Sequence, residues 1–284
     1  MIGHPIAHSR SPLIHGHWLR TLGLEGSYER IDVPPDALAD FVSSFPSRGF
    51  VGGNVTVPHK ETVFALLEAG GQELSPTARR LGAVNTLALR DDGRLLGHNT
   101  DGAGFVGSVD EAVGPGWESG CGQALVVGAG GAARAIVGAL LDRGIPRIVV
   151  ANRTAEKARA LVAFAPGRVE AVSLEEAKNR LVSTGLLVNT TTLGMKGQGS
   201  LDLDLAGLPG TAIVADIVYV PAVTPLLADA AARGHWDAFS PGKRRDYIEW
   251  VLEAKRAETR AKRIETIVAQ VAEGKDRNWK YKNC

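Results

Sequence analysis

Apolar residues recur along this chain at two periods, and the switching between them outlines its elements. Over residues 9–96 helical spacing covers 12–23 and 60–69, and extended pieces stand between them at 28–33 and 86–90. That alternation predicts a first α/β domain. A loop of small and polar residues, Gly97-His98-Asn99-Thr100-Asp101-Gly102, leads into a helical stretch ending at Val113, and a linker containing glycine and proline follows over 114–122. Beyond it, apolar runs at 124–127, 147–151, 186–189 and 212–217 alternate with helical segments, the pattern of βαβ units and a parallel sheet. The expected fold is α/β, with one α/β domain over 1–101, a second, parallel-sheet domain over 102–238, and a helical tail over 239–284.

The tail changes in character. Between Lys243 and Lys282 it holds 12 Lys or Arg and 7 Asp or Glu, with Ile264, Ile267, Val268 and Val271 at helical spacing. Two charged amphipathic helices are expected there, and the interleaving of acids with bases favours a solvated surface over a nucleic-acid or membrane patch. Across the chain 32 basic residues balance 31 acidic ones, which argues against partners recruited by bulk charge and leaves a small-molecule ligand as the better fit. Two cysteines, Cys121 and Cys284, are too few for a disulfide scaffold or a four-ligand zinc site, so a reducing, cytoplasmic setting is expected. No apolar run reaches the length of a membrane span, and no secretion signal is recognisable at the N-terminus.

Chemistry enters first at the apolar run 124–127, which leads into Gly128-Ala129-Gly130-Gly131-Ala132-Ala133-Arg134 and then a helical pattern. Strand, glycine turn and helix in that order form the dinucleotide-binding context of a Rossmann-type domain. Gly128 allows the tight turn, Gly130 lets the backbone approach a pyrophosphate, and the helix N-terminus offers free N–H donors. The next apolar run ends in Ala151-Asn152-Arg153-Thr154, where a site for an unphosphorylated ribose would place a carboxylate. Instead Asn152, Arg153, Thr154 and Lys157 suit a 2′-phosphate, so NADP is the expected cofactor.

Two further segments are dense in polar groups: Gly53-Asn54-Val55-Thr56-Val57-Pro58-His59-Lys60, and Asn85-Thr86 with the loop to Asp101. Oxidising an alcohol requires its hydroxyl proton to leave as the hydride departs, and Lys60 with Asp101 is a candidate pair for that transfer. Taken alone, such a pair reads as a structural ion pair. The whole arrangement, however, resembles the shikimate dehydrogenase family over roughly the first 235 residues. Gly3-His4-Pro5-Ile6-Ala7-His8-Ser9-Arg10-Ser11-Pro12 is similar to the family signature, which implies that Ser9 and Ser11 bind the substrate carboxylate. The resemblance also implies Lys60 and Asp101 as catalytic residues, and Thr56, Asn85, Asp101 and Tyr219 at the substrate. For the cofactor it implies Gly128, Ala129, Gly130, Gly131 and Ala132 at the loop, Asn152 to Lys157 as the phosphate clamp, and Ile217 near the nicotinamide. Residues 1–101 then become a substrate-binding domain and 102–238 the NADP-binding domain. The implied reaction is NADPH-dependent reduction of 3-dehydroshikimate to shikimate, in aromatic amino-acid biosynthesis.

Among the histidines of the first hundred residues, His4, His8, His15, His59 and His98 show no zincin spacing, and the chemistry needs no Lewis acid, so no metal is expected. The likeness stops near His235. There the family continues into a helix carrying a substrate-binding glutamine, whereas 236–284 is more similar to OmpD-associated bacteriocin-protection proteins. Gln270 is a stand-in candidate for that glutamine, although an ordinary helix-face role suits it better. The first strand is expected to be short or absent, and NADP binding is expected to withstand these departures better than turnover. Two alternatives remain open: a quinate/shikimate dehydrogenase of dual specificity, and a non-catalytic NADP-binding module whose tail recruits a partner. No sequence feature sets the oligomeric state, and a homodimer is compatible with all three readings.

Overall fold

The protein is described by a computed structural model covering residues 1–7, 9–238, 253–254 and 256–275. It comprises two compact units, one formed by Met1–Trp117, Ala129–Gly144 and Ala163–Ala165, the other by Glu118–Gly128, Ile145–Val162 and Pro166–Cys284.

The first unit opens with β1 (Ile2–Gly3), α1 (Ser11–Thr21) and β2 (Ile31–Asp32), with β1 and β2 paired in parallel. After α2 (Leu38–Ser44) come β3 (Gly52–Asn54), α3 (Lys60–Ala69), β4 (Glu73–Leu74), α4 (Pro76–Leu81), β5 (Thr86–Leu89) and β6 (Leu95–His98), and the four strands from β3 onward form a sheet in the order β3-β5-β6-β4. Helix α5 (Asp101–Val113) follows. Helix α3 buries Val63 and Leu67, one helical turn apart, in a core with Ile2, Phe41, Phe45, Leu74 and Leu87. Helix α4 is delimited by local chemistry. The Ser75 hydroxyl accepts the Ala78 N–H, Pro76 occupies the first turn, and Gly82 ends it at φ +60°.

In the second unit β7 (Gln123–Val127), β8 (Arg147–Ala151), β9 (Val169–Val172), β10 (Leu186–Asn189) and β11 (Ile213–Asp216) build an all-parallel sheet in the order β11-β10-β7-β8-β9. Apart from Arg147, every residue of β7, β8 and β10 is buried, which explains their unbroken apolar runs. Helix α6 (Gly131–Asp142) continues the chain from β7 but belongs to the first unit. Helices α7 (Ala155–Val162), α8 (Leu174–Lys178), α9 (Pro225–Ala238) and α10 (Ala257–Ala272) complete the second unit. Val271, Ile267 and Val268 of α10 pack on Ala232 of α9.

The α/β expectation with a parallel sheet and helical tail agrees with this architecture. The first strand is indeed short, at two residues. The piece read as extended over 28–33 pairs only at Ile31 and Asp32, because β1 offers two partners. Strand β9 escaped the sequence reading, since four residues interrupted by Glu170 carry little periodicity. Of the two tail helices expected, α10 is present, and the segment 243–252 lies outside the described residues.

Candidate active site

Within the first unit, Lys60 is the first residue of α3 and Asp101 the first of α5. Their side chains meet at Nζ–Oδ2 2.6 Å, only 12% and 24% exposed. Asp101 stands in the first turn of its helix. The other carboxylate oxygen, Oδ1, accepts from Asn85 Nδ2 at 2.7 Å. Asn85 is itself buried, and its Oδ1 accepts the Thr100 N–H at 3.0 Å and the Thr86 hydroxyl at 2.8 Å. Backbone bonds hold the three segments together: Val84 N–H donates to Lys60 C=O, Asn85 N–H to His98 C=O, and Val55 N–H to Asn85 C=O. Asn99 adds a brace by donating from Nδ2 to Ala83 C=O and accepting the Asp101 N–H. The result is an ion pair whose carboxylate is held on both oxygens before any ligand arrives.

Ser9 is buried and accepts the Ser11 N–H on its hydroxyl at 3.3 Å, while Arg30 donates to the carbonyls of Ala7 and Ser9 and ties down their loop. Among the described residues the hydroxyls of Ser11 and Thr56 have no hydrogen-bond partner, and no hydrogen bond joins Ser9, Ser11 or Thr56 to the Lys60–Asp101 network. His59 is buried against the Val33 carbonyl at 2.7 Å, and His98 Nδ1 lies 2.7 Å from Ser75 Oγ, so both flank the site as structural residues.

The glycine turn divides by function. Gly128 has φ +112°, and a Cβ there would clash with Thr190 Oγ1, whose hydroxyl bonds the Val127 carbonyl. Gly130 faces open space, which leaves its backbone accessible. Gly131 is different: a Cβ on it would stand 2.9 Å from Lys60 Cβ. The helix start is therefore small where it meets Lys60. Ala129 is buried and Ala132 partly so. In the second unit Asn152 follows the last residue of β8 and donates to the Thr154 carbonyl at 2.9 Å. Arg153, Thr154 and Lys157 are exposed, and among the described residues neither cation has an ionic partner. Ile217 and Tyr219 are also exposed, on a segment pinned by Asp216, which accepts from Asn189 Nδ2, the Val218 N–H and the Thr224 hydroxyl.

Sequence reasoning missed the outer members of the Asn85 network. Thr86 and Asn54 lay in quoted motifs without a role, and Tyr28, whose hydroxyl donates to Asn54 Oδ1 at 2.6 Å, gave no local signal at all.

Comparison with known proteins agrees with this geometry. The profile described as shikimate dehydrogenase substrate binding domain matches residues 1–87, that of shikimate / quinate 5-dehydrogenase matches 117–194, and that of bacteriocin-protection, YdeI or OmpD-associated proteins matches 224–274. A shikimate dehydrogenase (NADP(+)) of Methylobacterium radiotolerans is 57% identical over 235 residues, 82% of each chain. Among solved structures, a shikimate 5-dehydrogenase of Thermus thermophilus in complex with NADP(H) and shikimate is 40% identical, with TM-score 0.70 over 82% of this chain and 83% of its own. A quinate dehydrogenase of Corynebacterium glutamicum in complex with NAD is 31% identical, with TM-score 0.72 over 82% and 84%. On these similarities, and with the Lys60, Asn85 and Asp101 arrangement in place, the chain belongs to the shikimate dehydrogenase family.

Proposed function

We propose that this chain catalyses the reversible NADPH-dependent reduction of 3-dehydroshikimate to shikimate. The observation that carries the reading is the Lys60–Asp101 pair, fixed through Asn85. One ammonium N–H of Lys60 is engaged by Asp101, which leaves two to reach a substrate oxygen. Lys60 donates a proton to the oxygen on which negative charge develops during reduction, and takes it back during oxidation. Asp101 holds the ammonium in place and, with Asn85, accepts or donates to ring hydroxyls. Ser9, Ser11 and Thr56 present hydroxyl donors to the substrate carboxylate, and Tyr219 adds a contact at the same substrate. Orientation by these groups brings the reacting atoms into line before transfer.

The residues present fit NADP. Gly130 leaves the backbone of the turn open, and Arg153 and Lys157, on the segment that carries Thr154, are cations without ionic partners among the described residues. Bound there, NADP supplies or accepts the hydride. Gly128 to Ala132 would hold its pyrophosphate, Asn152 to Lys157 its 2′-phosphate, and Ile217 would lie at the nicotinamide. We assign residues 1–101 to substrate, 102–238 to NADP and 239–284 to an appended tail. Gln270 lies on α10, whose neighbouring Ile267, Val268 and Val271 pack on α9, and we assign it no catalytic part. The same reading takes the protein as cytoplasmic and homodimeric, which sedimentation velocity would test.

The experiment compares kcat/KM for shikimate and quinate, each with NADP and NAD. Shikimate with NADP is expected to exceed the other three combinations. Higher efficiency on quinate with NAD would favour the dual-specificity reading. Tight NADP binding without turnover of either acid would favour the non-catalytic one.

A further inference from the structure

The hydrogen bonds around Asp101 do not stop at Asn85. Tyr28 O–H donates to Asn54 Oδ1 at 2.6 Å, Asn54 Nδ2 donates to Thr86 Oγ1 at 3.3 Å, Thr86 O–H donates to Asn85 Oδ1 at 2.8 Å, and Asn85 Nδ2 donates to Asp101 Oδ1 at 2.7 Å. Every donor points the same way, and the chain ends on a carboxylate, which only accepts. Two of its links are amides, and an amide has two orientations that exchange donor for acceptor. A phenol donating to Asn54 settles that choice, because it requires the oxygen on its own side and so turns the NH2 toward Thr86. The Thr86 hydroxyl, facing that NH2, can only accept from it and turns its own proton to Asn85 Oδ1, which also takes the Thr100 N–H, so the Asn85 NH2 faces Asp101. We infer that Tyr28 is a positioning residue for the proposed reaction, its hydroxyl setting the orientation of Asn54 and Thr86, which together with the Thr100 N–H hold Asn85 and through it the carboxylate that holds Lys60.

Two features of Tyr28 support this role. Burial pushes its phenol up to about 12, so it remains a donor through the working pH range of any ordinary enzyme. Its ring stacks on His15 with centroids 4.0 Å apart and planes 3° from parallel, which ties it to α1, the helix that Ser11 begins. One side chain thus touches the element bearing a carboxylate-binding serine with its face and the proton-transfer network with its hydroxyl. The two contacts can be separated by substitution. Amides do not pass protons readily, so the chain serves orientation rather than proton conduction.

The inference rests on the activity proposed above, and the test separates the two. Initial rates with shikimate and NADP are measured for the unaltered chain, Tyr28→Phe, Thr86→Val, Thr86→Ser and the Tyr28→Phe/Thr86→Val double variant, with thermal melting of each. Tyr28→Phe keeps the stack on His15 and is expected to lower kcat about 5- to 30-fold with KM for NADP unchanged. Thr86→Val is expected to lower it at least as much, and Thr86→Ser, which keeps the hydroxyl, to restore at least half the rate. Residues acting in one chain are not additive, so the double variant should lie within about twofold of the slower single one. Rates of Tyr28→Phe within twofold of the unaltered chain would overturn the inference while leaving the activity standing. So would multiplied losses in the double variant, or a serine variant as slow as the valine one. An inactive unaltered chain would overturn the activity and the inference with it.

Discussion

The two units carry their candidate site residues on opposite plans. In the first unit the side chains assigned to proton transfer are buried or partly buried and bonded to one another: Lys60, Asp101, Asn85 and Thr86 each have a partner within the protein. In the second unit the groups assigned to the 2′-phosphate are exposed, and Arg153 and Lys157 have no ionic partner among the described residues. The difference fits what each group of residues is proposed to recognise. A ring of neutral hydroxyls and a single transferring proton demand fixed direction, which a network supplies in a site of low water content. A dianionic phosphate is recognised through charge, which tolerates mobile side chains and open solvent.

The largest effect should come from breaking the network at its centre. Asp101→Asn replaces an acceptor of two bonds by a group with one acceptor oxygen and an NH2 that faces the donors of Lys60 or Asn85. Expected is a loss of kcat of roughly 10²- to 10³-fold, with NADP affinity by fluorescence titration unchanged. Arg153→Ala should do the reverse. Its loss of charge-assisted bonds predicts about 10- to 100-fold weaker NADP binding, little change with NAD, and kcat at saturating cofactor preserved. Because the clamp is exposed, KM for NADP should also rise with ionic strength more steeply than KM for shikimate. A salt-independent KM for NADP would contradict the contrast between the halves.

Gly131→Ala tests the one point where the glycine turn meets the network. Its new methyl would press on Lys60 Cβ at 2.9 Å, with an expected loss of about tenfold in kcat. Gly130→Ala, which meets nothing within the protein, should act on NADP affinity instead. The smallest effect concerns the anchors of α6. Hydrogen bonding by Arg143 holds the Asp110 carboxyl below its usual value, and Arg80 does the same for Asp142. A carboxyl depressed in the folded state contributes stability that is present above about pH 4 and lost as pH falls through the folded value. Asp110→Asn should therefore lower thermal stability at neutral pH and flatten its decline below pH 4. An unaltered acid limb would show that this pair does not hold the helix.

What the sequence disclosed follows the same division. Strands β7, β8 and β10 are buried on both faces, so their apolar runs stood out, and α3 and α5 began where Lys60 and Asp101 had been singled out. The two- to four-residue strands β1, β4 and β9 are too short to show a period, and their pairing depends on neighbours distant in sequence. Lys60 and Asp101 were legible as members of ordered motifs, although nothing in their spacing of 41 residues predicted an ion pair. Tyr28 was not legible, because its partner Asn54 stands 26 residues away and a tyrosine before a short strand is an ordinary residue. Gly131 was noted as part of the turn, yet its reason, the approach of Lys60, exists only in three dimensions.

The central claim is that Lys60, held by Asp101, moves the proton in NADP-linked oxidation of shikimate. It is tested most directly by following absorbance of the reduced nicotinamide with shikimate and NADP for the unaltered chain and for Lys60→Ala, with NADP affinity measured on both. The account predicts turnover by the unaltered chain, a loss of about 10²- to 10⁴-fold in kcat for the variant, and equal NADP affinity. Equal turnover in the two proteins would contradict it.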